Sequence, residues 1–228
     1  MPEFDDRPIR VDVWSDVACP WCYIGKRKFE IGADAFAASN GIEVDVTWHS
    51  FELAPDTPVD FDGSEIDFLV QFKGLSPNRV RELIERVSEV ASGVGLRYDF
   101  ANLKHTNTGL AHELLHHAKA HGRQGEMKER LLVAYFVEGR HVGRIADLAD
   151  LAAEIGLDRD GAMRALETRE HRGEVEADKA EAQAFGISGV PFFVLDGALG
   201  LSGAQEPETF AKALTRALVE RDAATGDD

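Results

Sequence analysis

The stretch SDVACPWCYIGK, residues 15–26, decides the fold of this chain. It holds the only two cysteines of the 228-residue sequence, Cys19 and Cys22, in the tetrapeptide CPWC. Residues 9–15, IRVDVWS, alternate apolar and polar side chains, which predicts a half-buried strand. Residues 20–40 carry apolar side chains at helical spacing and end before a glycine, which predicts a helix. The cysteine pair is therefore predicted at the point where a strand becomes a helix.

The spacing of the two cysteines favours redox chemistry. A thiolate is the attacking species in disulfide exchange, and backbone N–H groups at a helix N-terminus lower the pKa of a cysteine there. Cys19 has this position, and Cys22 follows one turn later, within reach of a mixed disulfide on Cys19. A structural disulfide across so short a loop would restrict the unfolded chain very little.

Outward from this stretch, the chain continues with a second predicted strand at residues 42–51 and then a long helical block. Ser76 as N-cap and Pro77 at the first helical position predict the start of one helix. Further helices are predicted at residues 107–121, 126–138, 145–155, 159–168 and 173–185. Asp196-Gly197 lies between two apolar runs and predicts a two-residue hairpin turn, and a last helix is predicted at 208–221.

The order of elements is therefore βαβ, a helical block and ββα. The two outer parts can share one central sheet, with the helical block inserted between them as a lid. We accordingly divide the chain at residues 1–58, 59–185 and 186–228, the outer two forming one domain and the middle one an inserted helical domain.

Composition excludes several classes of function. The formal net charge of −16 disfavours nucleic acid as a partner, because such binding depends on clustered Lys and Arg. No apolar stretch reaches the length of about 18 residues that a membrane helix needs. The first ten residues, MPEFDDRPIR, have no apolar segment typical of a secretory signal, so we expect a cytoplasmic protein.

Several segments resemble the DsbA family of oxidoreductases, in particular its FrnE-like branch. They are SDVACPWCYIGK near the start and GISGVPFFVLDGALGLSGAQ at 186–205 near the end, with FELAP at 51–55, NTGLAHELL at 107–115 and AYFVEG at 134–139 between them. They occur in the expected order, and the resemblance covers most of the chain.

This resemblance implies an α/β, thioredoxin-like fold with a large all-helical insertion. It also implies that Cys19 is the nucleophile, that Cys22 is the resolving thiol and that Val190-Pro191 forms the cis-proline loop. That Pro191 is cis rests on the resemblance and not on composition. Exposed backbone at Val190 would pair with an extended substrate segment.

The residues around the cysteines have further candidate roles. Pro20 and Trp21 are expected to influence the reduction potential of the pair, and Trp21 is equally a candidate for substrate contact or helix packing. Many thioredoxin-like proteins have a buried acid six positions before the nucleophile, where this chain has Val13. Strand alternation turns Asp12 and Asp16 away from the face of Val13, so the sequence leaves the proton-handling group open.

A second candidate site is SGAQ, made of Ser202, Gly203, Ala204 and Gln205, before the last helix. Unpaired N–H groups there would hold the carboxylate of a small thiol such as glutathione or mycothiol. Simple helix capping is the alternative. No other cofactor is expected, since the redox-active disulfide carries the electrons.

Two patterns are compatible with zinc. CxxC supplies half of many zinc sites, but a second half is missing here. Residues 112–116 read HELLH, a match to HExxH, within a segment of four histidines where chance matches are easy. No third-ligand pattern is evident, so we predict no metal and expect most of these histidines to be solvated or partly packed. His112 is expected near the active site through the resemblance alone.

The sequence therefore predicts an enzyme that exchanges disulfides with protein or small-molecule thiols. Two alternatives use the same scaffold. One is a glutathione-dependent transferase or isomerase of the kappa and 2-hydroxychromene-2-carboxylate isomerase group, which needs one activated Ser or Cys. The other is a redox-linked chaperone binding unfolded clients near Trp21 and Pro191. The oligomeric state is open, a homodimer included.

Overall fold

A computed structural model describes residues 7–225 of the chain, so the first six residues of the segment tested for a secretory signal lie outside the described residues. Within that range one sheet is formed by β1, β2, β3 and β4, whose bounds are Ile9–Ser15, Val44–Ser50, Phe192–Leu195 and Leu199–Ser202. The strand order is β2-β1-β3-β4, with β1 parallel to β2 and antiparallel to β3. β4 pairs antiparallel with β3. The predicted thioredoxin-like α/β fold is confirmed.

Helices occupy the connections between these strands. Helix α1, Pro20–Asn40, joins β1 to β2, and the last helix, Pro207–Thr225, follows β4. The segment between β2 and β3 is helical, as predicted. Its helices are α2 Glu65–Lys73, α3 Pro77–Gly93, α4 Gly109–Ala120, α5 Gln124–Phe136, α6 Ile145–Glu154, α7 Arg159–Thr168 and α8 Arg172–Ala184, and the last helix is then α9.

The apolar face of β1 packs against α1 and α9. Alternate residues of β1 are buried there with aromatic rings from three other elements; the cluster includes Ile9, Val11, Val13, Phe29, Phe193 and Phe210. The two helices approach so closely that a Cβ at Gly32 would lie 2.5 Å from the carbonyl oxygen of Pro207. A glycine is therefore required in α1 for α9 to reach the sheet.

The helical insertion has its own core, and this core extends to the start of α1. Its buried members include Leu114, Leu131, Leu148 and Leu166 from α4 to α7 together with Val17, Tyr23 and Ile24 from the cysteine segment. The insertion is therefore packed against the cysteine pair. The division of the chain at residues 58 and 185 stays a prediction.

The structure differs from the predictions at three places. Helix α2 was not predicted, although Ser64 and Asp67 form a capping box at its start and Gly74 ends it. β2 is shorter than the strand predicted at residues 42–51, because its pairing with β1 extends only from Val44 to Ser50. The hairpin loop has three residues, because Leu195 pairs with Leu199, although Asp196 and Gly197 have the positive φ expected of the turn.

No helix in residues 7–225 is both long enough and apolar enough to cross a membrane.

Candidate active site

The two cysteines lie at the start of α1. Cys19 is the N-cap residue, with extended backbone (φ −92°, ψ 113°), and Pro20 begins the helix, where a missing N–H costs no hydrogen bond. The Cys22 amide donates to the Cys19 carbonyl at 3.0 Å. Both side chains are buried free thiols. One thiol therefore lies at the helix N-terminus and the other one turn later.

The proline loop before β3 faces Cys19. Cys19 Sγ donates a hydrogen bond to the carbonyl oxygen of Val190 at 3.7 Å, and the Val190–Pro191 peptide bond is cis. The Gly203 amide donates to the Pro191 carbonyl at 2.8 Å. A Cβ at Gly25 of α1 would lie 2.7 Å from Pro191 Cγ, so a larger residue would push the loop away from the thiols.

A buried lysine of the insertion influences the thiols. Lys128 on α5 is fully buried, and its Nζ lies 3.5 Å from the Ser15 carbonyl oxygen. Burial raises the pKa of Cys22, but the hydrogen bond from Cys19 and the Lys128 charge outweigh it, so this pKa lies below its usual value. The hydrogen bond to Cys22, together with burial, raises the pKa of Cys19. The environment of the pair therefore stabilises negative charge on the Cys22 side.

Burial lowers the pKa of Lys128 to about 8, although Cys22 and Asp16 act in the opposite direction. A lysine with such a pKa exists in both protonation states near neutral pH. It can therefore exchange a proton with its surroundings, which a lysine of ordinary pKa does rarely.

A buried acid does lie near the cysteines, at Asp16 and not at Val13. Val13 packs in the sheet core, whereas Asp16 follows the end of β1, where strand alternation no longer fixes its direction. Its Oδ1 accepts from the Ala18 amide and Thr108 hydroxyl and lies 3.3 Å from His112 Nε2, and its Oδ2 accepts from the Leu53 amide at 2.8 Å. Burial raises its pKa, but these bonds outweigh burial and lower it. Asp16 is therefore a fixed negative charge.

Trp21 borders a largely apolar cleft between the cysteine segment and the insertion. The Trp21 side chain is 40% exposed, and the cleft has a volume of about 400 Å³. Its lining includes Ala18, Pro20, Leu53, Phe68, Leu83 and Val87. Tyr98 of the insertion donates to the Pro20 carbonyl at 2.7 Å, which fixes the turn between the cysteines. Trp21 thus has an exposed ring beside the thiols.

The predicted small-thiol segment lies behind the proline loop. Ala204 is close to Gly25, and Gly203 bonds to Pro191 as described above. The Gln205 amide donates to the Gly203 carbonyl at 3.0 Å, and Gln205 Nε2 donates to the Ser202 carbonyl at 2.7 Å. The amides of Gly203 and Gln205 thus already have backbone acceptors within the loop.

The histidines of α4 differ from the prediction of mostly solvated rings. His112, His116 and His117 are buried, because α4 is covered by α5, α7 and α8, and His121 is exposed. Buried rings need polar partners. Carboxylates supply them for two of the three rings, since His112 contacts Asp16 and His116 contacts Asp178 at 2.9 Å.

The HELLH residues therefore contact three separate groups. His112 and His116 each bond to a different aspartate, and Glu113 is ion-paired with Arg169. In the described part of the chain, the group whose ligand atoms lie close enough together for a metal is His49, Asp178 and Glu181. Both ring nitrogens of His49 are already hydrogen-bonded to carboxylates, which favours an imidazolium over a metal ligand.

Sequence reasoning missed Lys128 and Tyr98, and it named Asp16 without assigning it a role. Lys128 was recognisable, because it lies at helical spacing from Leu131, Leu132 and Tyr135 on the buried face of α5. A lysine in an apolar stripe is rarely fully buried without a specific role or partner. The contacts of Asp16 and Tyr98 depend on distant segments, so no local pattern revealed them.

Comparison with known proteins agrees with this geometry. Residues 10–215 match the family model described as DSBA-like thioredoxin domain. The chain is 31% identical over 209 residues to the uncharacterized protein YwbO of Bacillus subtilis, covering 91% of this chain and 96% of YwbO. A probable DsbA oxidoreductase from Streptomyces coelicolor is 38% identical, with a TM-score of 0.85 over 93% of this chain and 91% of the other.

A more distant similarity shows the fold alone. The cytosolic disulfide reductase DsbM of Pseudomonas aeruginosa, also solved with GSH, has 19% identity and a TM-score of 0.58 over 96% of this chain and all of its own. The FrnE-like branch stays a prediction. The match to the family model and to the two closer relatives shows that the chain belongs to the DSBA-like thioredoxin domain family.

Proposed function

We propose that the protein is a thiol-disulfide oxidoreductase that exchanges disulfides with protein or low-molecular-weight thiols through Cys19 and Cys22. The observation that carries the proposal is the pair of free thiols at the start of α1, with Cys19 Sγ against the Val190 carbonyl. Membership of the DSBA-like family supports it. A helix N-terminus beside a pair of cysteines is the arrangement that activates thiols for exchange.

In the proposed reaction, Cys19 first passes its proton to Cys22 through the hydrogen bond between the two thiols, and then attacks a sulfur of the substrate disulfide as a thiolate. The substrate S–S bond breaks, one substrate thiolate leaves and a mixed disulfide forms on Cys19. Cys22 then attacks Cys19 Sγ, the second substrate thiolate leaves, and Cys19 and Cys22 are joined by a disulfide. The reverse sequence oxidises a dithiol substrate. The backbone of Val190 pairs with an extended substrate segment during both steps.

The apolar cleft beside Trp21 is the proposed position of the substrate body. It begins at Ala18 and Pro20, next to the nucleophile, and is lined mainly by aliphatic and aromatic side chains. Burial of apolar substrate surface there contributes roughly 25 cal/mol per Å². We therefore expect substrates whose disulfide is flanked by apolar groups.

The proposed chemistry needs no metal and no bound organic cofactor, because the cysteine pair itself carries the two electrons. Glutathione or mycothiol is proposed as a substrate thiol. Its contact segment is proposed as Ser202, Gly203, Ala204 and Gln205, without use of the Gly203 and Gln205 amides, which already donate to backbone carbonyls. We further propose a cytoplasmic location and no nucleic-acid or membrane partner, in line with the net charge of −16.

The test is the reduction potential of the cysteine pair. The protein is equilibrated in glutathione buffers of graded composition, free thiols are trapped, and the mass of the trapped protein is measured. A reversible two-electron couple is expected, and a more negative potential indicates a reductase while a less negative one indicates an oxidant. Cys19→Ser should abolish disulfide exchange. Full reductase activity in this variant would overturn the mechanism.

Cys22→Ser distinguishes the alternatives. In the proposed mechanism this variant accumulates a mixed disulfide on Cys19 and does not turn over. A glutathione-dependent activity that survives Cys22→Ser would instead indicate a transferase or isomerase. Suppression of aggregation by the double cysteine variant, without any reversible couple in the natural protein, would indicate a chaperone.

A further inference from the structure

Lys128 is a buried lysine that lacks the usual partner of a buried cation. The two other buried lysines, Lys26 and Lys28 of α1, each form an ion pair with a glutamate. Lys128 Nζ contacts the Ser15 carbonyl oxygen at 3.5 Å and the Trp48 ring at 5.5 Å from its centroid. No ion pair within 4.0 Å links it to a carboxylate anywhere in residues 7–225. Buried charges normally have a partner of opposite charge.

The charged and titratable groups that face Lys128 come from two elements. Cys22, Cys19 and Lys26 belong to α1, and Asp16 belongs to the turn after β1. Asp16 has both oxygens occupied by the four contacts described above. Lys26 carries the same charge and is held by carboxylates. The two thiols are therefore the groups that can complete the environment of Lys128.

Of the two thiols, Cys22 has the stronger electrostatic interaction with Lys128. Ser15 connects them. Its carbonyl accepts the Lys128 hydrogen bond, while its buried hydroxyl, which has no other partner in the described part of the chain, lies near enough to Cys22 to influence that thiol. Cys19 instead contacts the Val190 carbonyl. Lys128 and Cys22 thus both interact with Ser15, at the end of β1.

We propose that Lys128 accepts the proton of Cys22 when Cys22 attacks the mixed disulfide on Cys19. This inference rests on the proposed function. The Cys22 S–H bond breaks, the neutral Lys128 amine takes the proton, and the Cys22 thiolate forms the new S–S bond to Cys19. The substrate leaves with the electron pair of the broken bond. In the reverse direction the Lys128 ammonium returns the proton to Cys22.

In other proteins of this fold, a buried acid handles the proton. Val13 occupies the position of that acid here and packs in the sheet core, so Lys128 is proposed to take its role. A lysine from the inserted helices supplies the proton acceptor in place of a carboxylate from the first strand. Its charge when protonated also stabilises the thiolate that it creates, which a carboxylate does not do.

The test separates the two chemical steps by rapid mixing. The reduced protein is mixed with an excess of an aromatic disulfide that releases a coloured thiolate. Attack by Cys19 releases one equivalent at a rate that depends on disulfide concentration, and attack by Cys22 releases a second equivalent at a rate that does not. Both rates are measured across the neutral and alkaline pH range for the natural protein, Lys128→Met and Lys28→Met.

Lys128→Met is expected to slow the second phase about tenfold or more near neutral pH and to move its pH midpoint upward by about one unit. The first phase is expected to stay within about twofold. Lys28→Met is the matched control, because Lys28 is also buried, at 8% exposed, but pairs with Glu206, and it should leave both phases unchanged. A purely structural role of Lys128 would not move the midpoint of one phase selectively.

The outcomes are distinguishable. A second phase in Lys128→Met with the rate and pH midpoint of the natural protein overturns the role of Lys128 and leaves the proposed function intact. Absence of a second phase in the natural protein overturns the proposed function itself. Methionine in place of an unpaired buried charge is expected to preserve folding. Lys128→Gln keeps a side-chain donor for the Ser15 carbonyl but has no group that takes up the proton. The rate and the pH midpoint of its second phase test the proposal independently of Lys128→Met.

Discussion

Replacing His49 by glutamine is expected to remove a pH-dependent part of the protein's stability. His49 of β2 lies between two carboxylates, with Nε2 2.9 Å from Asp12 Oδ1 and Nδ1 2.8 Å from Asp178 Oδ1. Its ring also stacks on Trp14, with a centroid distance of 4.5 Å. Burial lowers the pKa of His49, but the two carboxylates outweigh burial and raise it to about 9. The ring is therefore an imidazolium in the folded protein at neutral pH.

The size and sign of the effect follow from this pKa. An unfolded histidine has a pKa of about 6.5, so the difference of about 2.5 corresponds to about 3 kcal/mol of unfolding free energy. Solvent screening removes little of it, because the side chain is 13% exposed. Since the folded pKa is the higher one, this stabilisation is fully present below about pH 6.5 and is lost as the pH rises through about 9.

The assay is denaturant unfolding of the natural protein and His49→Gln between about pH 6 and pH 10, with reductant present. Lys128 acts in the opposite direction, since its folded pKa of about 8 lies below the ordinary 10.5 and its effect on stability rises with pH. Both proteins contain Lys128, so the difference between them isolates His49. The exposed His121→Gln is the control. A difference in unfolding free energy that stays constant over this range would refute the reasoning.

Two further substitutions test the geometry around the cysteines. Gly25→Ala places a Cβ 2.7 Å from Pro191 Cγ and should lower the unfolding free energy by about 1–3 kcal/mol and speed alkylation of the thiols, because the proline loop moves away from them. At Gly173 in α8, an added Cβ has no atom within 4 Å, so Gly173→Ala should instead raise the unfolding free energy by up to about 1 kcal/mol. Equal urea midpoints of the two variants would contradict the close approach of Gly25 to Pro191. Tyr98→Phe removes the bond to the Pro20 carbonyl and should cost about 1 kcal/mol by urea unfolding, and an unchanged midpoint would show that this bond contributes nothing.

The parts of the fold that were predictable have local causes. The alternation in residues 9–15 reflects the buried face of β1, and it remained visible because Arg10 and Asp12 on the other face are polar, although Trp14 on that face is buried. Asp196 and Gly197 identified the hairpin because few residue pairs adopt two consecutive positive φ values. The position of Cys19 followed from the proline and the apolar period that begin α1. Each of these signals is contained in a few consecutive residues.

The parts that were not predictable depend on distant segments. His112 and His116 of α4 look solvated in the sequence because nothing local shows that Asp16, in the turn after β1, and Asp178, in α8, bind them. The burial of Lys128 follows from the helical period of α5, but its contact with the Ser15 carbonyl depends on the packing of α5 over the end of β1, which no helical period reveals. Burial of a polar side chain is decided by its partner, and here each partner lies far away in the sequence.

The contact between Cys19 and the Val190 carbonyl has a consequence for biosynthesis. The two residues are 171 positions apart, and β3 can pair with β1 only after nearly the whole chain has been made. At roughly 5–20 residues per second, the ribosome exposes the cysteines for many seconds before their proline loop emerges. During that interval, the two thiols of the nascent chain are not yet covered by the proline loop. Because the cysteines precede the proline loop in the sequence, the two thiols can be oxidised while the chain is still being synthesised.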